Sequence, residues 1–222
     1  MKSRKNYQQP HKLDDISNEG KRQQSLQIQS SKYKEIIEQR DPKEIARLTA
    51  MSLQHNKDGQ PVLSGEHLLE THNISWPDLT ITDSKGDPVS LKTETLWLHY
   101  LNRADGHPLT RRWVNLSEIG GLFYQQAFQG YCGDELAKAW GSDLEGFKKS
   151  CLAAGGWEMQ GPGDLAFEWR ILPRVPLCIC YQLPTGGEPA WATVLFDSAA
   201  GHYIAADVAA VVGKELADRL KP

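Results

Sequence analysis

The chain has 222 residues, of which 40% are hydrophobic and 24% are charged, and its formal net charge is -3. This is the composition of a globular protein that is long enough to bury a core without disulfides or metals. No run of about 18 apolar residues occurs, so we expect no membrane-spanning segment. The basic first residues are not followed by the apolar stretch of a secretory signal sequence.

Charge is unevenly distributed along the chain. Residues 1–34 hold eight Lys or Arg and three acidic residues, which gives +5, so the remainder carries -8. The first segment is also rich in Gln and Ser and poor in large apolar residues. We therefore predict a disordered basic leader over residues 1–32, followed by one domain over residues 33–222. A basic leader can contact nucleic acid, but the acidic body argues against a nucleic-acid-binding protein.

Short strands and two helical segments are predicted in the first third of the domain, the first of them over Lys34–Gln39. Asp41 followed by Pro42 is typical of a helix start, because Asp caps free amides and Pro suits the first helical position. The sequence Lys57-Asp58-Gly59 is a turn signal and predicts a hairpin. The strands predicted in this region are Leu48–Leu53, Pro61–Leu63, His67–Thr71 and Leu79–Thr82.

The central third is predicted to be helical. Ser90 can cap a helix over Leu91–Arg103, whose centre is apolar almost all round, so we expect this helix to be buried. The other predicted helices are Phe123–Gln129, Glu135–Trp140, a helix from Leu144 to the glycine pair at 155–156, and a final helix over Ala206–Leu220.

The last third is predicted to be mainly strands. Apolar residues alternate with others over Leu165–Ile171, which is the period of a half-buried strand. Two further strands are predicted at Leu177–Leu183 and Ala190–Phe196. Strands clustered with short turns, and helices segregated from them, predict a single α+β domain with a mixed or antiparallel sheet.

The four cysteines form no disulfide scaffold pattern, which favours a reducing cytoplasm. Cys178 and Cys180 lie two apart on a predicted strand, so their thiols share one face and are a candidate site for a soft metal. Burial of both thiols as small apolar side chains is the alternative. Cys132 precedes a predicted helix start, where a thiolate is favoured, and is the candidate nucleophile.

Other candidate site residues come from the histidines and from residues at strand ends. Asp197 ends a predicted strand and His202 follows a small-residue turn, so an Asp/His couple that acts as a general base or a metal ligand is one hypothesis. A hydrogen bond that fixes the loop is the other. His99 lies within the buried-looking helix and needs a hydrogen-bond partner there.

Several short motifs resemble those of a family of uncharacterised proteins from anaerobic bacteria and archaea, catalogued as a domain of unknown function. The resemblance extends from Tyr33 to the C-terminus. The motifs that carry it are Leu98-His99-Tyr100-Leu101, Gly120-Gly121-Leu122-Phe123-Tyr124 with Ala127-Phe128, Gly155-Gly156, Gly163-Asp164, Leu172-Pro173-Arg174-Val175-Pro176 and Leu195-Phe196-Asp197. Such apolar, glycine and proline residues define a fold more than a reaction.

The resemblance implies a role beside anaerobic one-carbon or corrinoid metabolism. Some members of the family carry an added cysteine-rich iron–sulfur segment. This chain departs from them, because its first cysteine is Cys132 and it has no N-terminal cluster motif. An iron–sulfur cluster is therefore not carried over.

Two classes of function follow from the sequence. The first is a cytoplasmic module that binds a small molecule or a protein partner, whose cofactor, if any, the sequence does not identify. It predicts a pocket lined by Trp and Tyr with convergent polar groups, and the candidate ligand-binding residues are His99, Tyr100, Tyr124, Arg170, Asp197 and His202. The second is an enzyme that uses Cys132 or the pair Asp197 and His202.

Overall fold

The computed structural model describes residues 12–222, with side chains described from residue 19 onward. The helices are α1 (Lys12–Ile37), α2 (Pro42–Thr49), α3 (Leu91–Arg103), α4 (Gln125–Gln129), α5 (Glu135–Trp140), α6 (Leu144–Ala153) and α7 (Ala206–Arg219). The strands are β1 (Ser52–His55), β2 (Pro61–His67), β3 (Glu70–Ser75), β4 (Ile81–Asp83), β5 (Trp113–Val114), β6 (Trp157–Met159), β7 (Leu165–Leu172), β8 (Val175–Gln182) and β9 (Trp191–Asp197).

The strands form two antiparallel sheets, so the predicted α+β class is confirmed. The first sheet is a meander in the order β1-β2-β3-β4, and the second has the order β5-β9-β8-β7-β6. Every pairing is antiparallel, which selects the antiparallel alternative of the predicted sheet. Short turns permit this pairing between consecutive strands, whereas β5 pairs with β9, which is distant in sequence.

One predicted strand is divided by a turn. The stretch His67–Thr71 contains the β2–β3 turn, where Leu68 and Leu69 have φ angles of 49° and 71°. Leucine rarely adopts such left-handed conformations, so no local turn signal marked the reversal. His67 and Glu70 face each other across the hairpin.

Helix α3 lies in the centre of the fold, as its apolar sequence predicts. Ser90 caps its first turn by accepting a hydrogen bond from the Thr93 N–H. Trp97 on one side contacts His72 of the first sheet, with ring centroids 5.8 Å apart. Tyr100 on another side lies 6.0 Å from Tyr203, which follows the second sheet. Both faces of this helix are therefore buried in one continuous core.

The predicted disordered leader differs from the structure over residues 12–32, which belong to α1. Residues 1–11 lie outside the described part of the chain. Helix α1 is ordered by contacts with α3, because Ser30 donates a hydrogen bond to Glu94 at 2.5 Å and Lys34 pairs with Glu94 at 2.9 Å. Tertiary packing stabilises a helix that its own polar composition does not favour.

The second sheet is buried on both faces along most of β7. The alternation of apolar with other residues in this strand predicts that one face is exposed to solvent. Ala166 and Glu168 on that face are only 2% and 3% exposed, however, and Arg170 alone is exposed. A second small apolar cluster on the outer face, centred on Ala166, Cys178 and Cys180, accounts for the difference. In the described part of the chain, no helix is both long and apolar enough to cross a membrane.

Candidate functional site

A cavity of about 250 Å³ lies between α1, α3 and α7. Its walls are mainly the branched side chains that α7 and the facing helices direct toward one another. The lining residues are Arg22, Leu26, Gln29, Lys92, Thr95, Leu96, His99, Asp207, Val208, Val211 and Val212. Apolar walls with a few polar groups at fixed places are what a small-molecule site requires.

His99 supplies an oriented polar group in the wall of this cavity. Its Nε2 accepts a hydrogen bond from the Ala205 N–H at 3.0 Å, so the proton of the neutral ring is on Nδ1. Nδ1 lies 3.0 Å from the Tyr33 hydroxyl, which accepts that proton's hydrogen bond. Burial lowers the pKa of His99, and the nearby Arg103 lowers it further. The imidazole is thus neutral and held in one orientation by two helices.

The mouth of the cavity continues into a wider groove of about 670 Å³ along α7. Arg22, Lys92 and Val211 line both spaces. Lys92 pairs with Glu215 at 2.9 Å. The pKa of Glu215 is lowered to about 2 by His67 at 3.8 Å and by Lys92, whose contact is the shorter. The apolar cavity therefore opens at a charged rim.

Tyr100, a predicted ligand-binding residue, is fully buried and has a structural role. Its hydroxyl donates to the Thr49 carbonyl at 2.7 Å and accepts from the Arg174 N–H at 3.0 Å. Burial raises its pKa. Both hydrogen-bonding capacities of the hydroxyl are used inside the protein, so it links α2, α3 and the β7–β8 turn.

Asp197 is also fully buried, and its carboxylate holds a loop. It accepts hydrogen bonds from the Thr110 N–H and hydroxyl, from the Arg111 N–H at 2.7 Å and from the Ala199 N–H at 2.9 Å. Burial alone would raise its pKa, but these donors together lower it. The predicted couple of Asp197 with His202 does not form, because every oxygen of Asp197 is already bound.

His202 has a different carboxylate partner, Asp105. His202 Nδ1 lies 2.7 Å from Asp105 Oδ2, and the ring stacks on His107 with centroids 4.0 Å apart. His107 in turn uses Nδ1 toward the Pro108 carbonyl at 2.9 Å. Both rings therefore keep Nε2 free of protein partners in the contacts described. An open cleft of about 550 Å³ adjoins His202.

The two remaining ligand-binding candidates lie elsewhere. Tyr124 is half-exposed and follows Phe123, which is 94% exposed in the loop before α4. Arg170 is exposed on the outer face of β7. Neither residue lines the cavity between α1, α3 and α7, so the structure does not bring the six predicted residues into one pocket. The predicted Trp and Tyr lining is likewise absent from that cavity.

The thiols divide into two isolated cysteines and one pair. Cys132 lies in a π-helical turn (Gly130–Asp134) that continues directly into α5, and it is fully buried. It is not at a free helix N-terminus, and burial raises its pKa to about 12. Cys178 and Cys180 share one face of β8, as predicted, with their sulfurs 3.6 Å apart. Within residues 19–222, no three His, Cys, Asp or Glu residues group to hold a metal ion.

The cavity residues on α7 were missed because their sequence signal is that of a core helix. Val208 and Val212 fall on the apolar stripe that predicts burial. The stripe alone does not distinguish a helix face that packs against other side chains from one that borders a cavity. The facing wall comes from α1, which the composition predicted to be disordered. Only its contacts with α3 close the space.

Comparison with known proteins gives a family and no closer relative. No curated protein and no solved structure matches the chain. A family model described as a domain of unknown function (DUF3786) matches residues 41–219, which is most of the chain. The chain therefore belongs to the DUF3786 family.

Proposed function

We propose that this protein is a cytoplasmic binding module that holds a small amphipathic molecule between α1, α3 and α7. The observation that carries the proposal is the 250 Å³ cavity with apolar walls and one partly buried, oriented imidazole, His99. The space is open to solvent on the side of Lys92 and Val211, which are partly exposed. A ligand that fills it would remove its apolar walls from water.

The lining supports an apolar body with an anionic end. Leu26, Val208 and Val212 are suited to a hydrocarbon chain or ring. Arg22 and Lys92 are at the mouth, where an anionic group would remain partly hydrated. If Tyr33 moves aside, the Nδ1–H of the neutral His99 can donate a hydrogen bond to a polar group of the ligand.

The metabolic setting in this proposal is anaerobic one-carbon or corrinoid metabolism, in which the chain acts as an accessory module. The resemblance to proteins of anaerobes supports that setting. A corrin macrocycle is far larger than the cavity, so the volume favours a small metabolite over a bound tetrapyrrole.

Calorimetric titration with octanoate tests the site, because octanoate has a flexible apolar body and a carboxylate. We expect octanoate to bind more tightly than octylamine, whose charge is opposite. Val208→Trp fills the cavity and should abolish octanoate binding. Leu152→Trp, on the exposed face of α6, is the matched control and should leave binding unchanged.

Equal binding by wild type and Val208→Trp would contradict the proposed site. Leu26→Trp on α1 is a second variant that fills the same space from the opposite wall, in case Val208→Trp fails to fold. Octylamine binding as tightly as octanoate would contradict the role of Arg22 and Lys92.

A second candidate function, a general-base enzyme, is favoured by one observation. The 2.7 Å contact between Asp105 and His202 orients the imidazole and leaves Nε2 facing an open cleft. A carboxylate that holds Nδ1–H stabilises the imidazolium formed when Nε2 takes a proton.

Cleavage of the activated ester p-nitrophenyl acetate probes this base. An active dyad gives a rate above buffer that is lost in His202→Ala and reduced in Asp105→Asn. His55→Ala is the control, since His55 is an exposed histidine on β1. The same rate in wild type and His202→Ala would reject the enzyme hypothesis for this reaction class.

A further inference from the structure

The outer face of the second sheet carries a thiol pair under a thin apolar cover. Cys178 and Cys180 are fully buried together with Ala166, and Trp113, Met159 and Leu195 pack over them while remaining partly exposed. This cluster is separate from the main core, which occupies the opposite face of the sheet. The thiols are therefore one side-chain layer from solvent.

The spacing of the two sulfurs suits a single metal ion. The Sγ atoms are 3.6 Å apart. Two thiolates bound at about 2.3 Å to a three-coordinate ion, with an S–metal–S angle of about 120°, are about 4.0 Å apart, so the sulfurs need to separate by only about 0.4 Å. Because the residues are i and i+2 on a regular strand, the backbone of β8 fixes this spacing.

Hydrogen bonding already polarises the pair. The contact between the sulfurs lowers the pKa of Cys180 and raises that of Cys178, because the thiol that keeps its proton can donate it to the other sulfur. Glu168 lies opposite Cys178 in register, but its carboxylate is bound by Arg111 at 2.6 Å. Glu168 Oε1 is thus engaged in an ion pair, and the two thiols are the soft donors of this cluster.

We propose that Cys178 and Cys180 form a binding site for one Cu(I) ion, with the Met159 thioether as a further ligand. Cu⁺ displaces the two thiol protons, which leave to solvent, and forms two Cu–S bonds. Copper stays monovalent and no electron is transferred. The resulting negative charge of the bis-thiolate complex lies on the same face as the Arg111 guanidinium.

Cu(I) fits this donor set better than Zn(II). Thiolate and thioether ligands select Cu(I), which is stable with two or three of them. Zn(II) takes four nitrogen, oxygen or sulfur ligands in structural sites, and residues 19–222 offer no group of three His, Cys, Asp or Glu here.

A disulfide between the two cysteines is the alternative interpretation of their close contact. Residues i and i+2 of a strand have Cα atoms about 6.6–6.8 Å apart, which is the upper limit for a disulfide. A disulfide also requires an external oxidant and closure of the sulfurs from 3.6 Å to about 2.05 Å. The relaxed strand geometry therefore favours chelation.

Anaerobic competition with the Cu(I) indicator bicinchoninate tests the site on the full chain. We expect wild type to withdraw one equivalent of Cu(I), and Cys178→Ser and Cys180→Ser to withdraw none. Met159→Leu should keep the equivalent with weaker affinity. Cys132→Ser and Cys151→Ser are matched controls, since each removes a buried thiol outside the pair and should keep the full equivalent.

Three results would overturn the site. They are no Cu(I) uptake by wild type, uptake that survives Cys178→Ser, and uptake that is lost equally in Cys151→Ser. The wild-type measurement remains decisive even if a serine variant does not fold, and Cys178→Ala offers an apolar replacement of similar size. A thiolate-to-copper absorption band that appears with one equivalent and is missing in Cys180→Ser would confirm the ligands independently.

Discussion

Replacement of Glu215 by Gln tests how charge is distributed at the rim of the cavity. Glu215 on α7 lies among His67, Lys92 and Arg219, and these contacts bridge the first sheet, α3 and α7. The carboxylate pKa is lowered from 4.5 to about 2, so the folded state stabilises the ionised form. Glutamine keeps the shape but removes the charge.

The magnitude follows from this pKa shift. A shift of about 2.5 pKa units corresponds to about 3.4 kcal/mol of preference for the charged form, and part of this is lost to solvent screening because the side chain is 24% exposed. We therefore expect Glu215→Gln to lower the free energy of unfolding by about 1–2 kcal/mol at neutral pH.

The stability difference between wild type and Glu215→Gln should decrease as the pH falls. A lowered carboxylate pKa contributes stability above the unfolded value of 4.5, and that stability is lost as pH falls toward about 2. One pH unit below the unfolded value, the unscreened loss is about 1.4 kcal/mol. The difference between wild type and variant should thus shrink between pH 7 and pH 3.5.

Urea denaturation followed by circular dichroism at both pH values measures the difference. Glu158→Gln is the control, because Glu158 pairs with Lys148 on the surface and should change stability by less than about 0.5 kcal/mol. A Glu215→Gln effect that is equal at pH 7 and pH 3.5 would refute the charge-based explanation.

Three further predictions concern packing, thiol reactivity and buried hydrogen bonds. Gly213→Ala on α7 places a Cβ 2.8 Å from the Phe128 ring and should lower the melting temperature. Gly20→Ala on α1 meets no atom within 4 Å and should not lower it. A Gly213→Ala variant with a raised melting temperature would contradict the close packing. Iodoacetamide should leave Cys132 unmodified at neutral pH until denaturant is added, because the thiol is buried and its pKa is about 12; rapid labelling of the native chain would show otherwise. Tyr100→Phe removes a hydroxyl that bonds two backbone groups and should lower the free energy of unfolding, measured by urea denaturation, by about 1–3 kcal/mol. An unchanged midpoint would mean that water replaces the hydroxyl.

Local signals predicted the elements whose boundaries depend on neighbouring residues. Ser90 caps α3, which runs over Leu91–Arg103 as predicted. Asp143 likewise caps α6 by accepting from the Gly146 N–H. Capping and apolar periodicity act within one or two turns, so the sequence carries them directly.

The features of the structure that the sequence did not predict depend on contacts between residues that are far apart in the chain. His202 was predicted to couple with Asp197, but its carboxylate partner is Asp105, 97 residues away, and Asp197 instead accepts hydrogen bonds from the backbone of residues 110–111 and 199. Ser30 of α1 is held by Glu94 of α3, which lies more than 60 residues further along the chain. Composition alone carries no information about such contacts.

Nuclear magnetic resonance of the methyl-labelled protein with octanoate tests whether a small amphipathic ligand occupies the cavity between α1, α3 and α7. We expect intermolecular Overhauser contacts from the octanoate chain to the Val208 and Val212 methyl groups and a shift of the His99 ring signals. Contacts only to exposed methyl groups outside the cavity, such as those of Leu122, with the His99 signals unchanged, would contradict it.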